Sequence, residues 1–94
     1  MTTIETRIRA GLATLEPLSI DLRDESGLHV GHAGAKEGGH YRLVVVAARF
    51  AGKARIERHR MVYTALDALM KNGIHALALT TLAPSEAAAQ AAQQ

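Results

Sequence analysis

The sequence predicts an α+β fold in which helices cover one face of a three-stranded sheet. Three segments with the residue patterns of strands stand among segments with helical spacing. The chain has 94 residues, 48% of them hydrophobic and 21% charged, as in a globular protein with one core. We therefore expect one domain over residues 1–84. The alanine-rich tail, residues 85–94, is expected to be a frayed helix or disordered.

The first helix is predicted over about residues 3–15. Thr2 and Glu5 have the spacing of a capping box, and Pro17 ends the helix. Apolar residues recur every three or four positions, which indicates one buried face. These residues are Ile4, Ile8, Leu12 and Leu15.

A strand is predicted next, where Leu18, Ile20 and Leu22 alternate with polar residues that meet water. A loop then runs from Asp24 to His40 and contains five of the eight glycines and three of the five histidines. Loops longer than about 12 residues are uncommon in compact domains unless they have a function. We therefore expect this loop to be functional.

The second half of the chain predicts strand, helix and strand. Residues 41–48 are rich in β-branched side chains, as in a central strand. Residues 55–71 have helical spacing, and Asn72 and Gly73 end that helix. Residues 75–82 alternate again, which predicts one face formed by His75, Leu77, Leu79 and Thr81.

The composition excludes several classes of function. The net charge of +2 is too small to indicate nucleic-acid binding, and 3% aromatic residues without Trp cannot build platforms for base stacking. Zero cysteines exclude a thiolate nucleophile and a site made of cysteine ligands. No apolar run reaches the roughly 18 residues of a membrane span, and residues 1–9 lack a secretory signal. We expect a cytoplasmic binding domain and not an enzyme.

A basic segment, residues 49–60, is the first candidate site. It holds five basic residues against one acid, Glu57. Such a cluster either grips phosphates or forms a solvated helix face. The GxxG loop with which KH domains clamp nucleic acid is absent. The basic residues are Arg49, Lys53, Arg55, Arg58 and Arg60.

The histidines are the second candidate. His29 and His32 form an HxxH pair, which without cysteine or a clear third ligand is a weak signal for zinc. The pattern alone favours structural roles for His75 and His59, because neither has a Ser or Asp partner at the spacing of a catalytic triad. The residues reveal no catalytic constellation.

Two blocks resemble the hallmark of BolA-like proteins: RHRMVY at 58–63 and IHALAL at 74–79. The resemblance extends through RFAGK, HYRLVV and DES and covers about residues 16–84. It implies a class II KH-like domain of order α-β-β-α-α-β, a mixed sheet covered on one face and a possible short C-terminal helix. Many relatives carry an aromatic residue shortly after Pro84, whereas this chain has Ser85 and Glu86 there.

The resemblance also implies a function. BolA-like proteins pair with monothiol glutaredoxins as heterodimers and share a [2Fe-2S] cluster with glutaredoxin and glutathione thiolates. His75 matches the C-terminal histidine ligand, and His29 matches the loop ligand in DESGLH, with His32 as the alternative and His40 as a strand-start residue. We expect no cofactor in the isolated chain, which would be a monomer or weak homodimer without membrane contact. The alternative is a DNA-binding transcriptional regulator that uses residues 49–60.

Overall fold

The computed structural model describes residues 3–25 and 39–92. The strands and helices follow the predicted order, and short 3-10 turns follow the first helix and the second strand. None of the helices in these two ranges is long and apolar enough to cross a bilayer. The elements are α1 (Ile4–Leu12), β1 (Ser19–Asp24), β2 (Gly39–Val46), α2 (Arg55–Ala65), α3 (Asp67–Lys71), β3 (Ile74–Leu82) and α4 (Pro84–Ala92).

The first helix begins one residue later than the predicted capping box requires. Thr3, with an extended backbone, is the N-cap, and its hydroxyl accepts a hydrogen bond from the Thr6 amide at 3.1 Å. The predicted capping box of Thr2 with Glu5 is therefore wrong. The N-cap is Thr3, whose hydroxyl satisfies a free N–H of the first turn. After the 3-10 turn, Glu16 adopts a left-handed conformation and the chain leaves toward β1.

The sheet is mixed, with β2 in the centre. β1 pairs with β2 in the antiparallel direction, and β3 pairs with β2 in the parallel direction. A parallel neighbour needs a crossover connection, which α2 and α3 supply. The predicted α+β fold with a three-stranded mixed sheet is confirmed.

The helices pack on one face of the sheet. Alternate residues of β2 are buried there, and Ser19, Asp21 and Arg23 of β1 face the opposite side and are exposed, as predicted. Leu18 precedes β1 and is 67% exposed, so it does not belong to the buried face that alternation predicted. The core residues are Ile8, Leu12, Leu15, Tyr41, Leu43, Val45, Ala47, Phe50, Val62, Leu66, Leu69 and Ile74.

The single helix predicted over residues 55–71 is divided into α2 and α3. The break lies at Leu66, whose backbone (φ −106°, ψ 16°) leaves the helical region. Its side chain is almost fully buried, at 1% exposure. Tertiary packing of this residue therefore prevails over continuity of the helix.

Candidate functional site

His75 lies at a bulge at the start of β3. The strand register passes from Gly39 opposite Ile74 to His40 opposite Ala76, so His75 is the additional residue. Ile74 is buried and His75 is exposed. Simple alternation predicted His75 on the face of Leu77, and that expectation is wrong because the bulge interrupts the period of two.

The bulge brings His75 against a second histidine. The ring centroids of His40 and His75 lie 5.1 Å apart, with the rings tilted by 45°. His40 is the second residue of β2, in agreement with its interpretation as a strand-start residue, and it is half-buried. Two imidazoles thus share one end of the sheet, a proximity that sequence spacing does not reveal.

The turn before β3 places His75. Gly73 has a φ of 141°, which side-chain-bearing residues rarely adopt, and a Cβ there would lie 2.8 Å from Ile4 Cδ1. The Gly73 carbonyl accepts a hydrogen bond from the Gly39 amide at 3.1 Å. The turn therefore ties the starts of β2 and β3 together and holds the two histidines at one level.

A shallow hollow of about 270 Å³ adjoins His40 on the exposed side of the sheet. Ala76 and Ala78 contribute to its lining, and their small side chains leave space above the strands. At its margin the Arg42 Nε donates to Glu25 Oε2 at 3.1 Å. A partner surface can therefore approach the end of the sheet where the histidines lie.

The predicted loop ligands His29 and His32 lie outside the described residues. Within residues 3–25 and 39–92, His, Asp and Glu form no group of three or more that could hold a metal ion. The exposed imidazole of His75 suits one position on an iron centre, since imidazole is a common iron ligand. With no cysteine in the chain, any thiolate at such a centre must come from another molecule.

Two of the five basic residues of the basic segment form ion pairs within the part of the chain that the structure describes, and three do not. Arg49 forms an ion pair with Glu16, and the bonded guanidinium lowers the pKa of that carboxyl. Arg58 turns inward, where its side chain is only 11% exposed and pairs with Glu86 of α4. Within the described ranges the other three basic residues form no ion pair and are exposed. These residues are Lys53, Arg55 and Arg60.

The contact of Arg58 with Glu86 was missed by sequence reasoning. Glu86 carries the only charge after Pro84, and it stands three residues after Ala83. That is the spacing at which a Glu side chain caps a helix, and Glu86 Oε1 does accept a hydrogen bond from the Ala83 amide at 2.8 Å. This spacing was the signal for an ordered C-terminal helix.

His59 has a structural environment. It is half-buried in α2 and meets Tyr63 edge to face, with ring centroids 6.5 Å apart. The acidic residues of β1 and its C-terminal end also have ordinary partners, since Asp21 lies 3.7 Å from Arg23 and Glu25 pairs with Arg42. These residues do not extend the histidine pair into a larger site.

Comparison with known proteins identifies the family. The family model for BolA-like protein matches residues 12–86. BolA-like protein 1 of Mus musculus is 39% identical over 84 residues, which cover 88% of this chain. The chain spans 60% of the length of that relative.

Two further relatives agree. The DNA-binding transcriptional regulator BolA of Escherichia coli (strain K12) is 37% identical over 78 residues, covering 83% of this chain and 70% of the relative. The structure of BolA1 from Arabidopsis thaliana superposes with a TM-score of 0.79 at 35% identity, covering 92% of this chain and 97% of that chain. Because sequence, family model and fold agree over most of its length, the chain belongs to the BolA-like family.

Proposed function

We propose that this chain is a non-enzymatic partner of a monothiol glutaredoxin and supplies histidine to a shared [2Fe-2S] cluster. The observation that carries the proposal is the exposed position of His75 on the bulge at the start of β3. Membership of the BolA-like family supports it, because this histidine matches the family's C-terminal ligand. His29 is the proposed loop ligand, with His32 as its alternative.

The chemistry of the chain fits a shared site. The chain can offer no thiolate to iron, because it has no cysteine. Glutaredoxin and glutathione would supply the thiolates. A shared cluster with histidine in place of a thiolate carries less negative charge and has a higher reduction potential. The residues of this chain would orient one imidazole and leave the hollow beside Ala76 open to the partner.

Reconstitution tests this proposal. Mixing the chain with a cluster-loaded monothiol glutaredoxin should change the visible absorption and circular dichroism spectra. H75A should remove that change, because it deletes the exposed ligand. H59A is the matched control, since His59 lies in α2 against Tyr63 and should leave the spectra as in the native chain. If the complex formed by H75A has the same spectra as the complex of the native chain, the assignment of His75 as a ligand is wrong.

The loop ligand needs its own comparison. H29A should alter the spectrum of the mixed complex, and H32A should not. If only H32A alters it, His32 is the loop ligand and the assignment to His29 is wrong. H40A belongs in the same series because His40 touches His75. We expect H40A to shift the spectrum less than H75A, since His40 is half-buried and supports the neighbouring ring.

A second candidate function is DNA binding by the basic segment. It is favoured by the exposure of Lys53, Arg55 and Arg60, and the Escherichia coli relative is named a DNA-binding transcriptional regulator. Phosphate contacts predict an affinity that falls steeply with salt. R55Q and R60Q should each flatten that dependence, whereas H75A should not. Binding that is insensitive to both arginines would exclude this surface.

A further inference from the structure

A cleft of about 320 Å³ lies between α2, β3 and α4. Arg55 and His59 line it from α2, residues 79–82 line it from β3, and Gln90 lines it from α4. The cleft begins four residues beyond His75, a distance of about 13 Å along a strand. It is therefore separate from the histidine pair.

The floor of the cleft is the outer edge of β3. β3 is an edge strand. The Leu82 carbonyl accepts a hydrogen bond from the Ala47 amide at 3.0 Å, so the backbone of Leu82 faces the sheet. Because successive backbone groups alternate in direction, those of Leu77, Leu79 and Thr81 point outward.

A second contact confirms this direction. Arg58 Nη1 lies 3.4 Å from the Thr81 carbonyl oxygen, on the outer side of β3. This bond occupies the far end of the edge. Within residues 3–25 and 39–92 no strand pairs with the backbone groups of Leu77 and Leu79. An unpaired edge of this kind is a template for another extended chain.

The wall of the cleft is basic. Arg55 is exposed and, among the described residues, forms no ion pair. The two carboxylates of the adjoining elements are engaged, because Glu57 accepts a hydrogen bond from the Ala54 amide and Glu86 pairs with Arg58. An acidic side chain in the cleft would therefore meet Arg55 without a competing carboxylate.

The lining favours a peptide over a nucleic acid. His59 is the only ring among the lining residues that the structure describes, so successive bases would lack a stacking platform. A peptide strand instead needs main-chain donors and acceptors at a spacing of two residues, which this edge presents.

We propose that this cleft binds an extended acidic segment of a partner protein, which adds a strand to the outer edge of β3 and sets a carboxylate against Arg55. The main chain of the segment bonds to the backbone of Leu77 and Leu79. Side chains on one face of the segment enter between α2 and α4. This site does not depend on the proposed cluster function, because it uses Arg55 and the outer backbone edge of β3 and not the His75 imidazole.

The test is a titration of the 15N-labelled full chain with the peptide acetyl-SVETEVS-amide, followed by amide chemical shifts. Shifts are expected at Leu77, Leu79 and Thr81 and in the first turns of α2. The glutamine version, acetyl-SVQTQVS-amide, should bind about two- to fivefold more weakly, the range of a solvent-exposed ion pair. A version N-methylated at every residue should not bind, because it has no backbone N–H to donate to the strand edge.

Variants of the chain identify the contact. R55Q should weaken binding of the acidic peptide to the level of the glutamine version, and R60Q, on the same helix but outside the cleft lining, should not. H75A should leave peptide binding unchanged even if cluster binding is lost. The proposal is overturned if millimolar peptide causes no shifts, or if the N-methylated version binds as tightly as the unmodified peptide. It is also overturned if R60Q weakens binding as much as R55Q does. Larger shifts at the same amides with the oligonucleotide (dT)10 would overturn it in favour of nucleic acid.

Discussion

Arg58 of α2 and Glu86 of α4 form a bidentate ion pair, with Nη1 to Oε1 at 2.6 Å and Nη2 to Oε2 at 3.0 Å. Arg58 Nε also donates to the Lys53 carbonyl at 2.8 Å. The same guanidinium therefore joins the turn before α2, the end of β3 and the start of α4. No residue of α4 is buried in the core, and this ion pair joins α4 to α2 through side chains.

The ion pair predicts a defined dependence of stability on pH. The hydrogen bonds from Arg58 and from the Ala83 amide lower the pKa of Glu86 from 4.5 to about 2. A carboxyl with a lowered folded-state pKa adds stability above its unfolded value, and this is lost as pH falls from about 4.5 toward 2. E86Q should be less stable at neutral pH and lose less stability over that window, as measured by chemical denaturation.

D67N is the matched control. Asp67 pairs with Lys71 at 3.1 Å, but both side chains are largely exposed, at 65% and 75%. Exposed pairs contribute little to stability. D67N should therefore keep the acid dependence of the native chain. If E86Q and D67N follow the same curve, the link between α2 and α4 is not coupled to folding.

Local patterns predicted most of the fold, and long-range contacts explain what they missed. Ile8 and Leu12 recur at the helical spacing that predicts a buried helix face, and both are fully buried. The bulge at His75 depends on the register with β2, which no local pattern encodes. Arg58 and Glu86 are separated by 28 residues, so their pairing needs the folded arrangement.

The candidate site was predicted unevenly for the same reason. His75 was assigned from the family resemblance, and its own surroundings in the sequence favoured a structural role. The contact with His40 arises only when β2 and β3 lie side by side. The basic segment was read as one cluster, but the structure uses Arg49 and Arg58 for internal ion pairs. Charge along the sequence does not reveal which side chains turn inward.

The turn before β3 leads to a second prediction. G73A forces an L-residue into φ 141° and brings its Cβ within 2.8 Å of Ile4 Cδ1. We expect a loss of about 1–3 kcal/mol from backbone strain, because the end of the Ile4 side chain can shift at little cost. Thermal or chemical unfolding measures the loss. Nuclear Overhauser contacts between the His40 and His75 rings should weaken.

G52A is the comparison at a second glycine with a positive φ. Gly52 also has a positive φ, of 76°, but a Cβ there meets nothing within 4 Å. G52A should therefore cost only the strain of the left-handed region, about 1 kcal/mol. If G73A costs no more than G52A, the φ of 141° does not restrict this turn, and the turn does not set the position of His75 as we argue.

The turn before α2 depends on Phe50. This side chain is fully buried, and its carbonyl accepts a hydrogen bond from the Lys53 amide at 3.1 Å. F50A should lower the free energy of unfolding by about 3–5 kcal/mol, because it removes a large core side chain and leaves a cavity.

I56A is the control: Ile56 is 60% exposed, so its truncation should change stability by less than about 0.5 kcal/mol. Denaturant unfolding measures the change in the free energy of unfolding for both variants. A cost for F50A close to that of I56A would mean that the core closes without Phe50, and that the turn before α2 is held by the Arg58 contact with the Lys53 carbonyl instead.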